Sequence, residues 1–218
     1  MTTIYLIRHS VRMPQNQIES YNTIQNELLK NEKIILSIEG EKRAEILSKE
    51  KELQNIDVVY SSNCVRALQT AKYIMESQNL KVNIDERLDE RRVGIANDKE
   101  HPNWFEEQYY DENYKTVNGE SQKEVRNRFD EVIKIILEKY KDKRIAVFSH
   151  GYAITFYLLK YCELVNIEDK RLKIKFKNKI IYDNRINAPE VFKLTFNDKD
   201  IINIEYLPFT KLPYNEGK

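Results

Sequence analysis

Apolar residues recur along this chain in two periods, one of two residues and one near 3.6. Residues 3–8 form a short apolar run that reads as a buried strand ending on Arg8-His9. Residues 13–33 are polar and rich in Asn, Gln and Glu, and read as a loop or a loosely packed helix. Ser37 is placed to cap a helix over 39–50, with Ala44 and Leu47 facing inward. A second strand over 56–60 runs into Ser61-Ser62. A helix follows from about Cys64 to Ser77, in which Val65, Leu68, Ala71 and Ile74 share one face. Residues 82–84 suggest a third strand, ending before Leu88-Asp89-Glu90. The segment 95–118 holds Trp104, Phe105, Tyr109, Tyr110 and Tyr114 among polar residues, and reads as a long loop or insert.

Ser121-x-x-Glu124 is a capping box. It opens the clearest helix of the chain, with Val125, Phe129, Val132, Ile133, Ile136, Leu137 and Tyr140 on one side. Residues 144–149 read as a fourth strand ending at His150-Gly151, followed by a helix over about 152–162. Residues 192–196 and 201–206 suggest a closing hairpin around Asn197-Asp198. Strands alternating with helices predict an α/β protein, a three-layer αβα sandwich around a mostly parallel sheet. No internal repeat, low-complexity tract or linker interrupts the pattern, so residues 1–218 are expected to form a single domain.

Composition narrows the function. With 41% apolar and 33% charged residues, the chain is globular rather than disordered. The 36 basic and 35 acidic residues nearly cancel, to +1, which gives no reason to expect a nucleic-acid or membrane partner. Any anion site must then be a local cluster of positive groups. Cys64 and Cys162 cannot build a disulfide framework, and neither has a metal-ligand spacing. The apolar run at the N-terminus is shorter than a signal-peptide core, so a reducing cytoplasm is the expected location. Oligomeric state is not readable.

In open α/β sheets, ligands bind beyond the carboxyl ends of the strands. Here those ends carry Arg8-His9, Ser61-Ser62 with Arg66 one turn on, Ser149-His150, and Glu90. Two of the chain's three histidines fall at such ends. A neutral imidazole can attack phosphorus once its other nitrogen is held as a donor. Arginines supply rigid forks for the phosphoryl oxygens, and a carboxylic acid protonates the leaving oxygen and then activates water. Arg8, His9, Arg66, His150 and Glu90 make up that set without a metal or cofactor.

Several motifs run in order: Leu6-Ile7-Arg8-His9-Ser10, Ser62-x-x-x-Arg66-Ala67-x-Gln69-Thr70-Ala71, Leu88-Asp89-Glu90-x-x-x-Gly94 and Ser149-His150-Gly151. With Leu36-Ser37-x-x-Gly40 and Gly119-Glu120-Ser121, they resemble the histidine phosphatase superfamily, its phosphoglycerate-mutase-like branch. The resemblance implies that fold, a small phosphorylated substrate, His9 as phospho-acceptor, Arg8, Arg66 and His150 on the phosphoryl oxygens, and Glu90 as proton donor. Asp89 is the alternative donor. The family usually has glycine where this chain has Ser10. A phosphoglycerate mutase is the alternative activity, but the Ser-x-Trp-Asn stretch of mutases is replaced here by Val11-Arg12-Met13-Pro14-Gln15-Asn16. A non-catalytic phospho-ligand-binding module would have lost one of the catalytic residues, and none is lost.

Read singly, the same residues have plainer roles. Ser62 is expected to cap a helix, Arg91 and Arg92 to form surface salt bridges, with contact to distal substrate anions as the alternative, Cys64 to fill the core, and His101 to be exposed. Glu90 lies in a charged run that also fits a solvated face.

Overall fold

The computed structural model describes residues 1–18, 27–95 and 102–209. Its main sheet has six strands in the order β3-β2-β4-β1-β8-β9. These are β1 (Thr2–Arg8), β2 (Val58–Ser61), β3 (Val82–Ile84), β4 (Arg144–Ser149), β8 (Val191–Asn197) and β9 (Asp200–Leu207). Strands β1 to β4 are mutually parallel, and β8 and β9 close one edge antiparallel. Side-chain alternation along the strands builds the sandwich. Ile4, Leu6, Ile145 and Val147 face α5 (Gln122–Lys139) and α6 (Gly151–Leu158). Tyr5, Ile7, Ala146 and Phe148 face the other way, onto α2 (Ile38–Ser48) and α3 (Val65–Gln78). The expected three-layer α/β fold with a mostly parallel sheet is what the chain forms.

The polar stretch 13–33, read as a loop or a loosely packed helix, contains α1 (Glu27–Lys33). Two segments differ from the sequence reading. The aromatic insert contains α4 (Trp104–Tyr110), whose Phe105 and Tyr109 join the core. The helix expected over 152–162 ends at Leu158. The chain then turns into a three-stranded antiparallel sheet that the sequence reading did not include: β5 (Glu163–Glu168), β6 (Arg171–Phe176) and β7 (Lys179–Arg185). Its turns use Asp169-Lys170 and Lys177-Asn178, all at positive φ, as a tight hairpin requires. Leu172, Ile174, Phe176 and Tyr182 pack into the same core as α5 and α6, so the small sheet is continuous with the main body.

Local devices fix the elements that carry the site. Ser37 Oγ accepts from the amide of Gly40, and its own amide donates to the Val11 carbonyl, 3.0 Å away. A Cβ at Gly40 would lie 2.0 Å from that same carbonyl, so only glycine lets α2 approach the chain just after His9. Among the described residues no helix is long and apolar enough to cross a membrane.

The capping box is fully formed: Glu124 donates its amide to Ser121 Oγ, and Glu124 Oε2 accepts the Ser121 amide. Ser121→Ala is expected to lower unfolding free energy by about 1 kcal/mol, read from the denaturant midpoint at unchanged slope. An unchanged midpoint would mean that α5 is held by packing alone.

Candidate active site

The register of the central strands brings the two strand-end histidines together. Arg8 is paired with Ser149 across β1 and β4, and the His9 amide donates to the Ser149 carbonyl at 2.9 Å. The imidazoles of His9 and His150 therefore meet edge to face, centroids 5.1 Å apart. On the other side of β4, the Ser62 amide donates to the Phe148 carbonyl at 3.0 Å, which brings the end of β2 and the first turn of α3 to the same place.

His9 is buried, and its Nδ1 lies 2.7 Å from the Ser10 carbonyl. A carbonyl only accepts, so Nδ1 carries the ring proton and Nε2 keeps its lone pair. Burial holds the ring neutral, well below the usual histidine value of 6.5, and the charges of Arg66 and Arg8 push the same way. Ser10, where the family usually has glycine, is fully buried and donates its amide to Thr70 Oγ1 at 2.9 Å. The position takes a side chain without losing its backbone partners.

Arg66 is buried, although it stands in the first turn of α3. Its Nη1 donates to the Asn31 carbonyl at 2.6 Å, and its Nη2 to Asn31 Oδ1 at 3.1 Å and His150 Nδ1 at 3.0 Å. Arg8 Nη1 donates to the Asn187 carbonyl. The Nε of each guanidinium is buried and finds no acceptor among the described residues. Leaving such a donor unmade costs roughly 1–3 kcal/mol, which an anion in the pocket would recover. Gly151 makes room for Arg8: a Cβ there would stand 3.3 Å from Arg8 Nε and 3.1 Å from Ile186.

His150 is expected on the phosphoryl oxygens, and both of its ring nitrogens are engaged by protein groups. Its Nδ1 accepts from Arg66, so its proton is on Nε2, which lies 2.8 Å from Ser62 Oγ. Burial, then Arg66, keeps this ring neutral too. It lies beneath Arg66 rather than on the pocket wall. Ser62 departs from its expected role. The residue at the N-cap of α3 is Cys64, which makes no side-chain cap, while the Ser62 hydroxyl serves His150 and, at 3.4 Å, the Cys64 amide.

Glu90 is half-buried and lines the pocket, so it is not on a solvated face. Its carboxylate accepts from the amides of Arg91 at 2.9 Å and Ala153 at 3.2 Å. Its backbone is held from α5: Arg128 donates to the carbonyls of Arg87 (2.7 Å), Asp89 (2.9 Å) and Glu90 (3.3 Å), and pairs with the buried Glu120 at 3.0 Å. Asp89 accepts the Asn63 amide at 3.1 Å, and burial pushes its carboxyl up to about 7, but it does not line the pocket. Arg91 is buried at 2% exposure rather than in a surface salt bridge, donating to Gln108 and the Glu120 carbonyl. Arg92 is more exposed and lies 3.7 Å from Glu120. Beneath Arg8, Glu190 is buried, accepts the Tyr182 hydroxyl at 2.6 Å, and is raised to about 7 by that burial, against the pull of Arg8. Neither Arg128 nor Glu190 stood out in sequence: Arg128 is one of many charges along an amphipathic helix, and Glu190 is a single charge just before a strand. His101 lies outside the described residues.

The pocket encloses about 1160 Å³. Its charged lining, among the described residues, is seven arginines and lysines against one carboxylate, Glu90. Arg12, Arg91 and Arg92 extend the positive wall beyond Arg8 and Arg66, and the small sheet brings Lys170 and Arg185 to it. Phe105, Tyr152 and Ile186 supply apolar surface.

This chain belongs to the histidine phosphatase superfamily (branch 1), whose family model matches residues 4–186. Phosphoserine phosphatase 1 of Hydrogenobacter thermophilus is 28% identical over 142 residues, 61% of this chain and 65% of that protein. The match thus spans a little under two thirds of that relative. A mycobacterial glucosyl-3-phosphoglycerate phosphatase, solved with inorganic phosphate, superimposes with a TM-score of 0.67 at 17% identity, over 95% of this chain and 96% of that one. A phosphoserine phosphatase mutant from Entamoeba histolytica, solved with phosphoserine, gives 0.62 at 18% identity, over 98% of each. At such identities the likeness is one of fold.

The hydrogen bonds fix opposite tautomers on the two histidines. Nitrogen NMR at neutral pH is expected to find His9 protonated on Nδ1 and His150 on Nε2. A proton on His9 Nε2 would contradict the arrangement.

Proposed function

We propose that the chain acts as one domain, in the cytoplasm, hydrolysing a phosphomonoester of a small metabolite through a phosphohistidine on His9, without a metal. The observation that carries this reading is the unprotonated Nε2 of His9 between two arginines whose buried Nε–H groups have no acceptor among the described residues. Nε2 attacks phosphorus, and the bond to the leaving oxygen breaks. Arg8 and Arg66 neutralise the equatorial oxygens. Glu90 gives its proton to the leaving oxygen. In the second half it takes a proton from water, whose oxygen attacks phosphorus and releases orthophosphate and His9. His150 acts mainly through Arg66, and donates to an oxygen itself only where Arg66 moves off and a proton passes to Nδ1. Glu90 is preferred to Asp89 as the acid because it lines the pocket.

The excess of cations favours a leaving group that carries a second anion. Phosphoserine and glucosyl-3-phosphoglycerate, which appear in the names of similar proteins, are both phosphomonoesters with a carboxylate. Nothing in the site favours the mutase reading.

Two variants test the roles. His9→Ala is expected to abolish turnover with the fold retained by circular dichroism; activity within a few-fold of the parent would contradict the mechanism. An alkoxide needs a proton to leave, whereas nitrophenolate leaves unaided. Glu90→Gln is therefore expected to slow single-turnover phosphorylation by an alkyl phosphate by about 10²–10⁴-fold, and by nitrophenyl phosphate far less. Equal slowing would reassign the acid, with Asp89 next in line.

A further inference from the structure

We propose that Cys64 Sγ, a carboxylate oxygen of Asp89 and a ring nitrogen of His150 form a binding site for a thiophilic divalent cation of the zinc class, and that its occupation inhibits the phosphoryl site. The three ligand atoms lie within 4.8 Å of one another. They stand just beyond the ends of three adjacent parallel strands: Cys64 after β2, Asp89 after β3 and His150 after β4. The sheet therefore fixes their mutual position, although 86 residues separate the first from the last in number. Cys64 and His150 are fully buried and Asp89 is half-buried. The sequence reading foresaw no such cluster, because no two of its members share an element.

The donor set selects the cation. Sulfur, imidazole nitrogen and one carboxylate oxygen suit zinc or cadmium, whereas magnesium and calcium require more oxygen ligands than this site offers. Tetrahedral zinc with bonds of about 2.0–2.3 Å has ligands roughly 3.3–3.8 Å apart, so the side chains must close by about 1 Å. The fourth position is left to water or the Ser62 hydroxyl, which already lies 2.8 Å from His150 Nε2. Binding displaces the thiol proton, and the carboxyl proton where one is present, to solvent. A cation on Nε2 also displaces the ring proton there, which passes to Nδ1 as Arg66 moves off, whereas a cation on Nδ1 leaves it in place. Thiolate and carboxylate then offset the double charge of the cation, which makes it tolerable beside Arg66.

Inhibition follows from the partners of His150. Nδ1 accepts from Arg66 and Nε2 meets Ser62, so a cation on either nitrogen breaks one of these contacts. Both belong to the support of Arg66. The inhibitory half of the proposal rests on the phosphatase reading; the binding half does not, and the two are read separately.

The test uses metal-free full-length protein. Titration with Co²⁺ or Cd²⁺, followed by thiolate-to-metal charge-transfer absorption, is expected to saturate at one cation per chain. Zn²⁺ in a non-chelating buffer is expected to suppress nitrophenyl phosphate turnover over the matching range, chelator to restore it, and Mg²⁺ to do neither. Cys64→Ala is expected to remove the absorption band and weaken Zn²⁺ inhibition by roughly 10–100-fold or more, the range seen when even an outer partner of a metal is lost. Cys64→Ser, of nearly the native volume, repeats the measurement with no cavity, and Cys162→Ala is expected to change nothing. Absence of a thiolate band in the parent, or equal inhibition of the parent and both Cys64 variants, overturns the proposal. If the parent shows the band but has no phosphatase activity, the cation site stands and the function reading falls.

Discussion

The pairing of Arg8 with Ser149 across β1 and β4 is the constraint on which the site depends. A slip of one residue would turn every β1 side chain to the opposite face of the sheet. Ile4 and Leu6 would exchange layers with Tyr5 and Ile7, so the two hydrophobic clusters lock the register. With the register locked, His9 and His150 must emerge side by side at the carboxyl edge. The amide of His9 is tied to β4, and its Nδ1 to the next carbonyl. Core packing thus sets the direction of the lone pair on His9 Nε2.

Charge is organised on the same local principle. The chain is almost neutral as a whole, at +1. The wall of the pocket nevertheless concentrates arginine and lysine from β1, α3, the 90–92 loop and the small three-stranded sheet. Burying guanidinium groups is costly, and the cost is offset by backbone carbonyls at Asn31, Asn187 and Glu120 rather than by carboxylates. Neutral acceptors hold the arginines in place without cancelling the charge that an incoming phosphoryl group would meet. Burial, reinforced by the same field, keeps both histidines neutral.

The strands of the main sheet and the main helices were legible from their periodicity, and Arg8, His9, Arg66 and Glu90 stood out as candidates because each lies at or soon after the end of a strand of that sheet. What sequence did not disclose arises from long-range geometry. The alternation of Leu172, Ile174 and Phe176 was present in the chain, but the β5–β7 sheet follows a helix that stops earlier than its apolar run suggests. The role of Arg128 depends on three carbonyls about 40 residues upstream. That His150 supports Arg66 instead of facing the pocket depends on which nitrogen Arg66 reaches. The Cys64–Asp89–His150 cluster exists only once three strands are adjacent.

The central claim is that His9 Nε2 is the phosphoryl acceptor. Rapid quenching of the enzyme with a ³²P-labelled substrate, followed by peptide mapping, tests it most directly. The account predicts label on His9 that is acid-labile and base-stable, formed no more slowly than turnover and missing in His9→Ala. Full turnover with no label on His9, or label on another residue, would contradict it.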